Sequence, residues 1–355
     1  MKNLRFPRLE RHRVAGTGDQ MTLSVPAPRS PSGKVYQYSP NPEAVPRLFL
    51  LGDAPEDRTI PPGQRHRIRR EPGAGETICP YSGYQGPDQD FTHFDDIKAV
   101  KDYVLWLAEG DVHDLLGGLA ADFNRRQPRD ALITMKMDVR TRRSPPPLAI
   151  REDLLRSLDC DVCQRAYAVY ALALFCPDCG APNVRLHFQR ETDLVHQQIA
   201  LAGQQDSEGR AEIAYRLVGN AHEDVLTAFE ATLKAMYRHL VRQHLPDQFM
   251  RLCAKQVIGA AFQNVDRASA LYEHLGIEPF SVLSPTDLEY LKLNIQKRHV
   301  LGHNLGVADE YYAEITQDEK PGETVRILGD EIRAFADLCL RVVTQLEKQL
   351  LPNRA

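Results

Sequence analysis

Cys160-Asp-Val-Cys163-Gln-Arg-Ala-Tyr-Ala-Val-Tyr-Ala-Leu-Ala-Leu-Phe-Cys176-Pro-Asp-Cys179-Gly180 places two Cys-x-x-Cys pairs twelve residues apart. Each pair can form a tight knuckle that aims two thiolates at one point, and two knuckles complete a tetrahedral site for zinc. Cys160, Cys163, Cys176 and Cys179 are therefore the expected metal ligands. Four protein ligands leave no position for a water, so the expected zinc is structural rather than catalytic. The spacer Ala166–Phe175 is long enough for a β-hairpin that brings the knuckles together.

The module, residues 159–182, resembles a zinc ribbon, a fold that serves both to hold structure and to grip nucleic acid. Cys79, in Cys79-Pro-Tyr-Ser82-Gly, has the form of half a third knuckle with Ser82 in the second place. A serine hydroxyl is a poor zinc ligand, so no second site is expected there. Cys253 and Cys339 fall in apolar helical patterns and read as core. Seven cysteines, four of them in metal spacing, suit a reducing cytosol better than a disulfide framework.

Outward from this module the chain divides. At 355 residues it exceeds one ordinary domain, and 43% hydrophobic with 26% charged residues excludes wholesale disorder. The longest apolar run, Ala166 to Phe175, falls short of the ~18 residues of a membrane span, so no membrane association is expected. The first residues carry no apolar segment of a secretory signal.

Residues 1–75 hold eleven Arg and two Lys against seven acids, and eleven of the 24 prolines. That composition predicts a poorly ordered arm. Its Arg65-His-Arg-Ile-Arg-Arg70 cluster reads either as solvated surface or as a contact for phosphates. A second basic region, Arg125, Arg126, Arg129, Arg140, Arg142 and Arg143, carries the same two readings.

Residues 76–190 predict an α+β module. A helix starts near Asp95, with an interruption at Gly110, and Leu132–Val139 and Asn183–Gln189 alternate like strands. Residues 191–355 predict an all-α region: Ala211–Leu245 broken once or twice, Asp247–Gly276, Asp287 to about Gly306, and Glu331–Leu351. Ser284-Pro-Thr-Asp287 is a helix start, and Gly322–Leu328 reads as a short β excursion.

Within that helical region, Lys297-Arg-His-Val-Leu-Gly-His303-Asn304 gathers two of the twelve histidines beside an arginine. Three readings follow. His299 and His303, four residues apart, could chelate a metal with Asp309 or Glu310, although Val300 stands where such zinc helices carry glutamate. Arg298 and His303 could cleave RNA, a neutral imidazole moving protons near pH 7 and a guanidinium facing charge on phosphate. Or the residues simply solvate a helix end. At ~100° per residue Arg298 and His303 stand roughly 140° apart, so a shared site calls for a bend at Gly302 or a second protomer across a two-fold axis.

Arg298-x4-His303, in the penultimate long helix of an all-helical region, is similar to the motif of HEPN (higher eukaryotes and prokaryotes nucleotide-binding) domains. Over roughly residues 76–350 the chain also resembles a group of bacterial proteins. These join a Cys-Pro-Tyr-Ser-Gly start, a zinc ribbon ending in Cys-Pro-Asp-Cys-Gly, and a helical domain with Gln-Lys-Arg-His and Gly-His-Asn. The resemblance implies an α+β architecture: an N-terminal zinc-ribbon-containing module followed by an all-α HEPN-like bundle that forms homodimers. It further implies a metal-independent endoribonuclease of the cytoplasm acting on RNA, with Arg298 and His303 as the catalytic pair. His299 stands in an auxiliary place that is commonly polar. Many HEPN nucleases belong to toxin–antitoxin and antiviral defence systems, so an antitoxin or defence partner is part of the expectation. The alternative is a non-catalytic adaptor that dimerises through the bundle and contacts nucleic acid or protein through the ribbon.

Overall fold

A computed structural model describes residues 6–16, 20–56, 59–126, 135–139, 155–316 and 319–352. The architecture is mixed α and β, with a small sheet region in the N-terminal half and helices dominating the C-terminal half. A one-turn helix α1 (Pro7–Glu10) and the two-strand pair β1 (Arg13–Ala15) and β2 (Thr22–Leu23) come first. A four-stranded antiparallel sheet follows, made of β3 (Val35–Tyr38), β4 (Leu48–Leu51), β7 (Arg156–Asp159) and β8 (Ala166–Val169) in the order β3-β4-β8-β7. β5 (Glu76–Ile78) and β6 (Gln85–Pro87) form a separate pair.

Residues 35–51 therefore supply half of the main sheet, where the sequence predicted a poorly ordered arm. Leu48-Phe-Leu-Leu51 is a continuous apolar strand covered on both faces, Phe49 by the cysteine-bearing core and Leu50 by Tyr36 and Ala168. Proline density averaged over 75 residues conceals a run this short. In the Arg65–Arg70 cluster Arg65 and His66 stand in solvent, as one of its readings expects, whereas the other three arginines are engaged within the protein. Arg67 is only 13% exposed and pairs with Asp161 and Glu347, Arg69 lies over the Phe175 ring at 3.9 Å, and Arg70 (7% exposed) faces Asp178. These guanidinium groups clamp the cysteine knuckles to their surroundings.

Further differences concern element type. The hairpin β7–β8 closes over the first knuckle rather than lying within the spacer between knuckles. Helix α2 (Phe94–Arg126) passes through Gly110 without a break, and the glycine there leaves room for the Arg8 side chain, which occupies the space a β-carbon would need. Asn183–Gln189 is not a strand. It opens α3 (Val184–Ser207), whose buried Val184, Phe188, Val195, Ile199 and Ala202 follow helical spacing once the window is widened. Of the expected strand Leu132–Val139, residues 135–139 carry none, and 132–134 lie outside the described residues.

Helix α4 (Ala211–His244) runs unbroken for 34 residues. Residues 247–276 then split into α5 (Phe249–Leu252), α6 (Lys255–Ile258) and α7 (Val265–Glu273) instead of one long run. Helix α8 (Pro285–His303) begins with a complete capping box: Ser284 Oγ accepts from Asp287 N (3.1 Å) and the Asp287 carboxylate accepts from Ser284 N (3.3 Å). After α8 a single bridge joins Val307 to Thr324, and α9 (Glu310–Thr316) and α10 (Gly329–Glu347) complete the chain.

Helices α3, α4 and α10 share one apolar core built on Val225, Phe229, Met236, Phe335 and Val343. Leu174 and Phe175 of the cysteine module, with Ile78 of β5, belong to that same core. Glu347, at the end of α10, accepts from Arg185 N in the first turn of α3 at 2.7 Å, and Asp161 of the first knuckle pairs with Arg185 at 2.5 Å. Helix α3 thus carries the chain from module to bundle without a break near residue 190. Among the described residues, no helix is long and apolar enough to cross a membrane.

Three histidines are buried in this core. Burial first, with nearby cations, pushes His187 down to about 3, His222 down to about 4 and His239 down to about 3. His187 Nδ1 accepts from the Ala173 backbone N–H at 3.3 Å, which a protonated ring could not do. The unfolded chain binds these protons from pH ~6.5 downward while the folded chain refuses them. Stability is therefore full above pH ~6.5 and falls as pH drops toward 4, by up to about 1.4 kcal/mol per pH unit for each histidine. The thermal midpoint is expected to be markedly lower at pH 5 than at pH 7.5; equal midpoints would contradict neutral burial.

Candidate functional site

The four cysteines come together as a buried cluster whose sulfurs all lie within 4.8 Å of one another. Cys160 and Cys179 Sγ are 3.8 Å apart, and Cys163 and Cys176 Sγ are 3.6 Å apart. Tetrahedral zinc with bonds of ~2.3 Å would hold sulfurs about 3.8 Å apart, so the donor set fits such an ion in number, chemistry and spacing. Hydrogen bonds from Cys163 and then Cys176 hold the Cys160 thiol far below its ordinary range, whereas burial pushes Cys176 up.

Both knuckles are built alike. Cys160 N donates to Arg165 O and Gln164 N returns to Cys160 O; Cys176 N donates to Ala181 O and Gly180 N returns to Cys176 O. The fifth residue of each, Gln164 (φ 58°) and Gly180 (φ 71°), adopts the left-handed conformation that lets the chain fold back on itself. Asp178 N also donates to Cys176 Sγ at 3.4 Å.

Cys79–Tyr84 repeats the same pattern. Cys79 N donates to Tyr84 O, Gly83 N donates to Cys79 O, and Gly83 has φ 73°. It is a complete third knuckle in backbone terms, with Ser82 where the second thiolate would stand. The Cys79 thiol is fully buried, and Cys253 and Cys339 lie in the helical core, as the sequence suggested.

The second site is an open cleft of about 380 Å³ along the C-terminal half of α8. Arg298, His299, Gly302 and His303 line it, with Glu223 from α4 and Gln263 opposite. Arg298 and His303 share this cleft although α8 stays helical through Gly302. His299 lies between them around the helix, 100° from Arg298 and 40° from His303 at ~100° per residue. The expected bend is thus unnecessary. Gly302 matters differently: a β-carbon there would sit 3.1 Å from Glu223 Oε1, so the glycine admits the approach of α4.

His299 and His303 are exposed, with ring centroids 4.8 Å apart. Arg298 Nη1 donates to Glu230 Oε1 on α4, and Gln263 Nε2 donates to the other carboxylate oxygen at 3.2 Å. Burial raises the Glu230 carboxyl above its ordinary range, against the pull of Arg298. The pair is partly exposed, Arg298 at 28% and Glu230 at 18%, and a guanidinium with one donor engaged keeps its other N–H groups for a ligand. Asp309, weighed as a third metal ligand, accepts instead from Asn304 Nδ2 (3.0 Å) and Tyr312 N (2.8 Å).

Sequence reasoning missed Glu223 and Glu230, because nothing in a single long amphipathic helix marks which acids will face α8. Of the second basic region, Arg125 and Arg126 end α2 in solvent, and the remaining arginines lie outside the described residues. No protein-family model, curated protein or solved structure matches this chain.

Proposed function

We propose that the chain is a metal-independent endoribonuclease of HEPN type, with a structural zinc ion held by Cys160, Cys163, Cys176 and Cys179. The observation that carries this reading is the presence of Arg298, His299 and His303 on the walls of one open cleft. RNA brings its own nucleophile. The 2′-oxygen attacks the adjacent phosphorus as His303 takes its proton; the bond from phosphorus to the 5′-oxygen breaks, and His299 returns a proton to that oxygen. Arg298 faces the charge that builds on the non-bridging oxygens. The products are a 2′,3′-cyclic phosphate and a 5′-hydroxyl. Following the resemblance to HEPN nucleases, the proposed enzyme is a homodimer of a toxin or phage-defence system.

Incubation of tRNA and total RNA with wild type and Arg298→Ala, in EDTA for times too short to strip the structural ion, tests this. Cleavage by wild type alone is expected. No cleavage by wild type moves the reading to the adaptor, which the Arg298–Glu230 pair favours in that it ties one donor of the candidate phosphate-binding group to the protein itself. A smaller effect follows from the same pair. Glu230→Ala frees Arg298 to wander and is expected to lower turnover about tenfold, some 1.4 kcal/mol of barrier. As a partly exposed pair it contributes at most about 1 kcal/mol to stability, so the thermal midpoint should hardly move.

A further inference from the structure

A second cleft, of about 400 Å³, lies where the third knuckle and the β3–β4 loop meet α4. Its α4 side is basic: Lys234, Arg238 and Arg242 recur every four residues, so they rise in steps of ~6 Å along one stripe. Lys234 and Arg238 make no hydrogen bond or ion pair among the described residues; Arg242 is paired at the rim with Glu43 at 3.0 Å. Phe249 lies under the guanidinium groups of Arg238 and Arg242, at 5.7 and 4.1 Å. His239 lines the same cleft. It is 8% exposed, and its Nε2 is buried with no hydrogen-bond partner. On the facing wall stands Ser82, the hydroxyl residue of the knuckle that lacks its second cysteine.

Two cations without a hydrogen-bonded partner, on the wall of a cleft that also holds an imidazole nitrogen lacking one, form a site short of an anion. We infer that this cleft binds backbone phosphates of single-stranded RNA and leads the strand along α4 to the α8 cleft, an inference that rests on RNA being the substrate. Continuity along α4 supports it. Glu230, which holds Arg298, is one turn before Lys234, and the stretch from residue 230 to 242 spans about 18 Å. Lys234 and Arg238 then face the phosphate oxygens, and Ser82 can donate to one of them from the opposite wall. The third knuckle gains a purpose without metal: its backbone presents a hydroxyl to the strand.

The test uses the full chain carrying His303→Ala, so that binding is read without cutting. A 5′-fluorescein-labelled 15-nucleotide single-stranded RNA is titrated by anisotropy across 50–200 mM salt. Adding Lys234→Glu with Arg238→Glu is expected to weaken binding at least tenfold and to lower the slope of log affinity against log salt by about 1.4, two phosphates at ~0.7 each. Both positions are solvent-accessible, so folding is checked simply by an unchanged thermal midpoint. The control, Arg216→Glu with Arg333→Glu, makes the same charge change away from the cleft and is expected to bind as the parent does. Unchanged affinity in the cleft variant, or an equal loss in the control, overturns the inference. The two readings fail separately: RNA binding that needs Lys234 and Arg238 stands even if wild type cuts nothing, and cleavage stands even if those residues prove irrelevant.

Discussion

His303→Ala is expected to lower RNA cleavage by about 10²- to 10⁴-fold, the usual contribution of one positioned acid–base group. The side chain is exposed at the last position of α8, and its ring contact is with His299. Its loss should therefore leave the fold and the affinity for RNA unchanged, and the whole effect should appear in the single-turnover rate. His299→Ala is expected to cost less, since water can deliver a proton to the departing 5′-oxygen in its place. Rates for the two variants on one defined RNA, with thermal midpoints measured beside them, check this ordering. Equal cleavage by wild type and His303→Ala would place the chemistry on other residues.

The second large effect concerns the metal. Four buried sulfurs within 4.8 Å of one another make a complete donor set for one thiolate-bound ion. Structural zinc supplies on the order of 10–16 kcal/mol of apparent binding energy in isolated fingers. Cys176→Ser is expected to lower the thermal midpoint by more than about 10 °C or to prevent recovery of folded protein. The damage should spread into the helices, because Leu174 and Phe175, next to Cys176, pack into the core of α3, α4 and α10. Elemental analysis of wild type is expected to find one zinc per chain. A metal-free wild type with an undiminished midpoint would contradict the structural role. Direct inhibition of cleavage by chelator while the protein remains folded would contradict it as well.

How much of this was legible in the sequence depended on range. Local signals read true: the two Cys-x-x-Cys pairs, the half-knuckle at Cys79, and the Ser284–Asp287 helix start each concern residues within a few positions of one another. What escaped was long-range. Leu48–Leu51 pairs with nearby β3 on one edge, but it sits inside the sheet because β8 arrives from residues 166–169 to cover the other. Arg67, Arg69 and Arg70 are held by partners from elsewhere in the chain, as distant as Glu347 for Arg67. The start of α3 was hidden because a seven-residue window alternates by twos while the full helix repeats by 3.6. In the α8 cleft, the arginine and histidines were visible, whereas Glu230 and Glu223 come from another helix. The Lys234–Arg238–Arg242 stripe could have been found by its four-residue period, yet only the fold sets it opposite Ser82.

The most direct test of the central claim is the chemistry of the cut ends. Wild-type protein is incubated briefly with a defined single-stranded RNA in EDTA, and the fragments are analysed by mass. The account predicts a 2′,3′-cyclic phosphate, or the 3′-phosphate formed from it, on one fragment and a 5′-hydroxyl on the other. Fragments ending in a 3′-hydroxyl and a 5′-phosphate, or intact RNA at every protein concentration, would contradict it.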